Sequence, residues 1–222
     1  MVAIQGAARL FSVARGALAL IGLAVVLAAL MPPSREALIR HVAAAAVSED
    51  GDPGTVQAAG PILAAGAEAA LEREQRAVAE FIARRYRVAE TASSAFVSSA
   101  YRAGQELAVD PLLILAVMAI ESRYNPVAES AMGAKGLMQI IPRYHQEKLL
   151  EHGGEFALLD PEVNIHVGTQ ILREYMRRFG VTETALQMYG GAMDEPTAQY
   201  SGKVLAEKAR LKQFLARALR QA

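Results

Sequence analysis

The sequence contains no cysteine and no tryptophan, and only 6% of its 222 residues are aromatic. Without cysteine the chain can form no disulfide, thiolate nucleophile or cysteine-based metal site. Its four histidines are His41, His145, His152 and His166, and none stands in a ligand spacing such as HExxH. We therefore expect neither a metal ion nor any other cofactor.

An excess of charge of either sign is also missing, because 23 basic residues stand against 23 acidic ones. Proteins that bind a polyphosphate normally carry a positive surplus, so we expect no nucleic acid as a partner. Apolar residues are plentiful, at 53% of the chain, and alanine occurs in long tracts. Much alanine and few aromatic residues favour helices over strands, and the sequence predicts an all-α fold with one domain.

The N-terminal residues 1–15 are basic through Arg9 and Arg15, and the uncharged run GALALIGLAVVLAALMPPS follows at 16–34. This pattern predicts either a transmembrane anchor or a cleaved signal segment. The run ends in Leu-Met-Pro-Pro at 30–33, which lacks a small-x-small cleavage site, and this favours the anchor. A buried core helix is the remaining alternative. Both the anchor and the signal segment predict that the rest of the chain is exported.

Residues 35–62 contain the turn-forming SEDGDPG at 48–54 and a Gly-Pro pair, and they predict a linker. Within 63–90, apolar residues at helical spacing alternate with charged ones, which indicates a short stalk or a leading helix. The domain itself is expected at 91–222.

A helix should begin at Asp110-Pro111, because aspartate caps free backbone N–H groups and proline fits the first helical position. It continues as LLILAVMAI, which is apolar on every face and ends at Glu121. A run of this length is too short to cross a membrane, so we expect the buried central helix of the domain.

The position of Glu121 after this apolar helix has two interpretations. Apolar neighbours and the negative end of the helix dipole both disfavour a charged carboxylate and would raise its pKa. A glutamic acid that stays protonated near neutral pH is suited to protonating a glycosidic oxygen. Alternatively, Glu121 lies in solvent at a frayed helix end and pairs with Arg123. The residues around it decide which interpretation is preferred.

Three motifs in order carry a family resemblance: ILAVMAIESRYNP at 114–126, SAMGAKGLMQIIP at 130–142 and LLDPEVNIHVGTQIL at 158–172. They resemble the helix with the catalytic Glu-Ser pair, the Gly-Leu-Met-Gln motif and the Asp-Pro, Asn-Ile and Gly spacing of the lytic transglycosylases. The similarity is to those with a soluble lytic transglycosylase (SLT) type of catalytic domain, a lysozyme-like helical fold related to goose-type lysozyme. It covers roughly residues 95–210.

This resemblance implies that Glu121 is the only catalytic acid and base. It implies that Ser130 and Gln139 line the cleft, where a hydroxyl and an amide can orient sugar groups. Gly133 and Gly136 would let the backbone approach the glycan closely, although an ordinary turn would also use glycine here.

Two tyrosines are further candidates for substrate binding. Tyr189 aligns with the family's cleft tyrosine, whose phenol can bond the acetamido group or the catalytic carboxyl, and Tyr200 is the second candidate. Either can instead be a core tyrosine. The chain departs from the family at Gly190, where Asn is usual, and at Arg143-Tyr144, where a Thr often follows the proline.

The remaining residues are expected to have mainly structural roles. Leu137 and Met138 are interpreted as core residues, although Met138 is also kept as a candidate cleft residue. Asn164 is expected to cap or brace a helix near the site. The basic tail at 203–220 is interpreted as a closing helix packed on the domain, with binding to anionic lipid or wall polymer as the alternative.

The family resemblance implies cleavage of the MurNAc–GlcNAc β-1,4 bond of peptidoglycan, with 1,6-anhydromuramyl ends as products. A hydrolytic muramidase of the same fold, and a membrane-anchored glycan-binding scaffold that has lost activity, are the alternatives. The implied partners are glycan strands, the bacterial inner membrane and a secretion or conjugation apparatus. The expected location is a single pass through the inner membrane with the domain in the periplasm, or secretion to the periplasm after signal cleavage.

Overall fold

The computed structural model describes residues 53–221, and within this range it contains only helices, turns and loops, with no β-strand. The prediction of an all-α fold is confirmed for this part of the chain. The α-helices are α1 (Pro53–Tyr86), α2 (Glu90–Leu107), α3 (Pro111–Glu121), α4 (Gln146–Leu150), α5 (Pro161–Phe179), α6 (Thr182–Tyr189) and α7 (Gln199–Gln221). Two 3₁₀ helices, Pro142–Tyr144 and Glu155–Leu159, flank α4.

The chain divides into two compact units, residues 1–65 and residues 66–222. The basic segment 1–15 and the anchor or signal segment 16–34 lie outside the described residues. From residue 53 to residue 221, none of the helices combines the length and the apolar character that crossing a bilayer requires.

Helix α1 begins inside the segment predicted as a linker, so the linker prediction is corrected from Pro53 onward. Proline is tolerated at a first helical position, and the alanines that follow have the strongest helix propensity, which outweighs the Gly-Pro pair. The second half of α1 packs on the domain, because Val78, Ala79 and Ile82 are buried in its core. In residues 63–90 the structure therefore has a packed leading helix rather than a free stalk.

Helix α3 is the centre of the domain, as predicted. Asp110 caps it by accepting a 2.9 Å hydrogen bond from the N–H of Leu112, and every residue from Leu112 to Ala119 is buried. Each large apolar side chain buried in this way contributes about 1.5–3 kcal/mol to the free energy of unfolding. This packing fixes the direction of α3 and therefore the position of its last residue, Glu121.

Helix α7 closes the domain and packs along α3. Val204 and Leu211 are completely buried, and Phe214 packs against Phe81 of α1 with ring centroids 4.5 Å apart. The interpretation of the basic tail as a closing helix is therefore correct. This packing brings the start of α7 to the end of α3.

Candidate active site

Glu121 is the last residue of α3 and lies where the buried helix meets the surface, so its side chain is partly buried. Burial raises the pKa of its carboxyl from 4.5 to about 7, because a carboxylate loses hydration there. The alternative in which Glu121 pairs with Arg123 is wrong. The guanidinium of Arg123 is exposed and lies 6.0 Å from the ring centroid of Tyr86 instead.

Tyr200 is the direct partner of Glu121. Its hydroxyl donates a 2.5 Å hydrogen bond to Oε1 of Glu121, and this bond lowers the pKa of the carboxyl against the larger effect of burial. Burial and the charge of Glu121 raise the pKa of Tyr200 well above its usual value. Tyr200 therefore stays protonated and acts as a permanent donor to Oε1, which leaves Oε2 of Glu121 to carry the acidic proton.

Tyr189, the last residue of α6, does not bond the catalytic carboxyl, and its contact with the acetamido group of a substrate stays a prediction. Its hydroxyl donates to the backbone carbonyl of Met138, at 2.9 Å, and not to the catalytic carboxyl. The charge of Glu121 nevertheless contributes to raising the pKa of Tyr189, after the larger effect of burial. Of the two tyrosines, Tyr200 makes the direct contact with Glu121.

The loop from Ala128 to Ile140 carries the predicted cleft residues Ser130 and Gln139. The hydroxyl oxygen of Ser130 accepts hydrogen bonds from the N–H groups of Met132, at 3.3 Å, and Ala134, at 3.1 Å. With both lone pairs engaged, its hydrogen is left to donate. The amide nitrogen of Gln139 donates to the carbonyls of Ala128, at 3.1 Å, and Gly136, at 3.0 Å. Both side chains hold the loop, and their contact with substrate stays a prediction.

Asn164 of α5 braces this loop, whereas the sequence predicted that it would cap or brace a helix. Its side chain is completely buried. The oxygen accepts from the N–H of Met138, at 2.8 Å, and the nitrogen donates to the carbonyls of Lys135 and Leu158, each at 3.0 Å. One buried amide thus ties the loop at Lys135 and Met138 to Leu158.

The two loop glycines both have positive φ angles, +79° at Gly133 and +74° at Gly136, which other residues adopt only with strain. Gly136 is buried, and a Cβ there would lie 2.1 Å from the amide nitrogen of Asn164. Its close neighbour is thus Asn164 rather than the glycan that the sequence suggested. Gly133 has open space around the position of a Cβ, so its approach to a glycan stays a prediction.

Met138 belongs to the core. Its side chain is 0% exposed and packs on Gly168 of α5, where a Cβ would lie 2.5 Å from the sulfur. Its backbone N–H and carbonyl are taken by Asn164 and Tyr189. Its candidacy as a substrate-binding residue is corrected, because no surface of the side chain is left for a sugar.

Ser122 has a role that the sequence did not reveal, although the Glu-Ser pair was part of the motif. Its hydroxyl donates to the carbonyl of Leu137, at 2.8 Å, and also lies 3.2 Å from that of Met118. The end of α3 is thereby tied to the loop. A serine next to a candidate catalytic residue was the available signal, but its partner 15 residues away depends on the fold.

Gly190, the departure from the family pattern, lies under the ring of Tyr200. A Cβ at this position would come within 2.6 Å of the ring carbons. The absence of a side chain therefore lets Tyr200 pack on the backbone of residue 190 while it bonds Glu121.

In the described part of the chain, no three acidic or histidine side chains converge in a way that would hold a metal ion.

The transglycosylase SLT domain family matches residues 85–201, which is more than half of the 222-residue chain. The chain belongs to this family. The resemblance inferred from the three motifs is thereby confirmed, and the matched range contains Glu121, the loop and both tyrosines.

Relatives in this family carry names that describe their activity. The chain is 36% identical over 102 residues to a transglycosylase of Enterobacteria phage PRD1, covering 44% of this chain and 37% of that protein. It is 38% identical over 85 residues to the soluble lytic murein transglycosylase of Escherichia coli (strain K12), covering 36% of this chain and 13% of that protein. The chain thus matches well under half the length of either relative.

Among solved structures, the SLT domain is similar to an inactive variant of the lytic transglycosylase Slt from Pseudomonas aeruginosa. The TM-score is 0.49 at 21% sequence identity, and the similarity covers 54% of this chain and 24% of that one.

Proposed function

We propose that this protein is a peptidoglycan lytic transglycosylase that cleaves the MurNAc–GlcNAc β-1,4 bond and leaves 1,6-anhydromuramyl ends. The observation that carries the proposal is the carboxyl of Glu121, which has a pKa of about 7 and accepts a hydrogen bond from Tyr200. Family membership and the names of the relatives support the same activity.

In the first step, Oε2 of Glu121 donates its proton to the glycosidic oxygen while the bond from that oxygen to C1 of the muramic residue breaks. The substrate's own acetamido oxygen stabilises C1 as the sugar departs. In the second step, the carboxylate of Glu121 takes the proton of the C6 hydroxyl, and O6 closes onto C1. Glu121 ends the cycle protonated, and a pKa near 7 suits both proton transfers.

A single carboxyl is sufficient for this sequence of steps. An ordinary glycosidase uses two carboxyl groups about 5–9.5 Å apart. The resemblance to the lytic transglycosylases implies that the substrate's own acetamido group takes the place of the second carboxyl. This favours a mechanism in which the substrate supplies the second group.

We also propose that the apolar segment 16–34 holds the domain at the inner membrane, so that it opens the wall locally from the periplasmic side. The support is the basic residues before the segment and its uncharged length. Secretion to the periplasm after signal cleavage is the alternative. A secretion or conjugation apparatus as partner stays a prediction of the sequence analysis.

The decisive experiment is mass spectrometry of the products that the full chain releases from purified peptidoglycan. The parent is compared with Glu121→Gln, and Glu183→Gln on the exposed surface of α6 is the matched control. We expect anhydro ends, lighter than reducing ends by one water, from the parent and the control only.

Reducing ends would instead make the protein a hydrolytic muramidase. A folded parent that binds glycan and releases nothing would make it a binding scaffold. The departure from the family pattern at Gly190 is the sequence feature that favours a scaffold. In the structure, this glycine leaves room for the ring of Tyr200.

A further inference from the structure

The chain makes an unusual turn directly after Glu121. Arg123 and Tyr124 both have positive φ angles, +53° and +65°. Residues with a Cβ occupy this left-handed region at a cost of order 1–3 kcal/mol each, and they persist only where surrounding contacts fix them. Some part of the structure must therefore hold the turn, and with it the end of α3.

Tyr124 is the residue through which the turn is held. It is 2% exposed, and its hydroxyl donates a 2.9 Å hydrogen bond back to the carbonyl of Leu115 in α3. The ring of Tyr86, the last residue of α1, packs edge-on against it with centroids 4.9 Å apart. Tyr86 thus covers the ring that fixes the turn.

Tyr86 is in turn fixed by α7. Its hydroxyl donates a 2.7 Å hydrogen bond to Oε1 of Glu207, a carboxylate that is only 3% exposed. Arg85 lies 3.5 Å from the same oxygen, and Arg210 pairs with the other one. This carboxylate keeps one geometry, because leaving the buried charge of Glu207 unpaired is costly.

Glu207 and Tyr200 stand seven residues apart on α7, which is two helical turns, so they lie on the same face. Helix α7 therefore acts on Glu121 through two sets of contacts. One is the direct bond from Tyr200, and the other runs from Glu207 through Tyr86 to Tyr124. We propose that Tyr86, anchored by Glu207, is a positioning residue that holds the turn after Glu121 and so keeps the carboxyl of Glu121 in its buried place beside Tyr200.

The inference deepens the proposed function, since only that function makes Glu121 a catalytic acid. It is tested by a measurement that needs no turnover, the pKa of the Glu121 carboxyl from carbon-13 NMR. The signal is assigned by its loss in Glu121→Gln. The groups that face this carboxyl are Tyr200 of α7 and Tyr189 of α6, and neither is altered by the test.

The variants are Tyr86→Leu and Tyr86→Phe in the full chain. Tyr101→Leu is the matched control, because Tyr101 is also buried and donates a 2.8 Å hydrogen bond to a glutamate, Glu74, but between α1 and α2. Tyr86→Leu should admit water to Glu121, so that its pKa falls from about 7 towards 4.5. We expect kcat to fall about tenfold with KM little changed, as for a misplaced catalytic group.

Tyr86→Phe loses the hydroxyl bond but keeps the ring, so its pKa and kcat should lie between those of the parent and of Tyr86→Leu. Tyr101→Leu should lower the melting temperature without moving the pKa of Glu121.

An unchanged pKa of Glu121 in the Tyr86 variants, or an equal fall of this pKa in Tyr101→Leu, overturns the inference. If Tyr86→Leu does not fold, an unchanged pKa of Glu121 in Tyr86→Phe is by itself enough to overturn the inference. A parent that cleaves nothing while the pKa still falls in Tyr86→Leu refutes the proposed function and leaves the positioning role standing.

Discussion

The hydroxyl of Tyr200 and the carboxyl of Glu121 are joined by a 2.5 Å hydrogen bond across 79 residues of sequence. The bond and the burial of the carboxyl act on its pKa in opposite directions, and burial has the larger effect. The acidity of Glu121 is therefore a balance between two contributions, each of which can be removed separately.

Removal of the bond is the first test of this balance. Tyr200→Phe keeps the ring over Gly190 but loses the donor, so the pKa of Glu121 should rise above 7. The pH at which kcat falls on the alkaline side should move upward, and kcat at its maximum should fall about tenfold through loss of orientation. A pH–rate profile measures both. Tyr189→Phe, which loses a bond to Met138 instead, should leave the alkaline limb where the parent has it.

The raised pKa of Glu121 also predicts how stability depends on pH. Between pH 4.5 and about 7 the folded protein keeps a proton that the unfolded chain releases, so the free energy of unfolding falls as pH rises through this window. Glu121→Gln has no carboxyl to ionise, so its free energy of unfolding does not fall for this reason. It should be more stable than the parent by about 2–3 kcal/mol at pH 8 and equally stable at pH 4. Urea unfolding at both pH values checks this, and a Glu121→Gln protein no more stable at pH 8 would contradict the burial of the carboxylate.

Asn164 should be the polar residue whose loss destabilises the loop most. Asn164→Ala leaves two carbonyls and one N–H without their buried partner, and we expect it to destabilise the fold by about 3 kcal/mol. Thermal unfolding measures the effect. Asn125→Ala is the control, because Asn125 is exposed and its side chain accepts from the neighbouring N–H of Val127. The cost of this substitution should stay below about 1 kcal/mol.

Gly190 should be essential to the placement of Tyr200. Gly190→Ala puts a Cβ within 2.6 Å of the tyrosine ring, so the ring must move and its bond to Glu121 lengthens. We expect activity to fall about tenfold. Gly202→Ala is matched to it, since Gly202 lies in α7 near Tyr200 with open space at its Cβ, and alanine there should stabilise the helix by up to about 1 kcal/mol. Equal activity of the two variants would show that Tyr200 tolerates displacement.

The features that could be predicted from the sequence are those with local signals. Asp110-Pro111 marks the start of α3 and an unbroken apolar run marks its burial, so the helix and the placement of Glu121 at its end followed from adjacent residues. The raised pKa followed as well, because it depends mainly on that burial.

What could not be predicted depends on packing between distant segments. Tyr189 and Tyr200 are equivalent in chemistry, and only the path of α7 decides that Tyr200 bonds Glu121. Gly136 was expected to face a glycan, but its close neighbour is Asn164, which another helix supplies. The start of α1 was missed for another reason. A Gly-Pro pair locally predicts a break in a helix, but the high helix propensity of the surrounding alanines outweighs it.

The dependence of Glu121 on α7 has a consequence for the order in which the chain is made. A ribosome that has reached the end of α6 has produced Glu121, the loop and Tyr189, but not Tyr200, which bonds Glu121. The carboxyl of such a chain lacks the hydrogen bond from Tyr200 and the packing of α7 along α3. The acid that the proposed function requires is therefore complete only after α7 has been synthesised and has packed on α3.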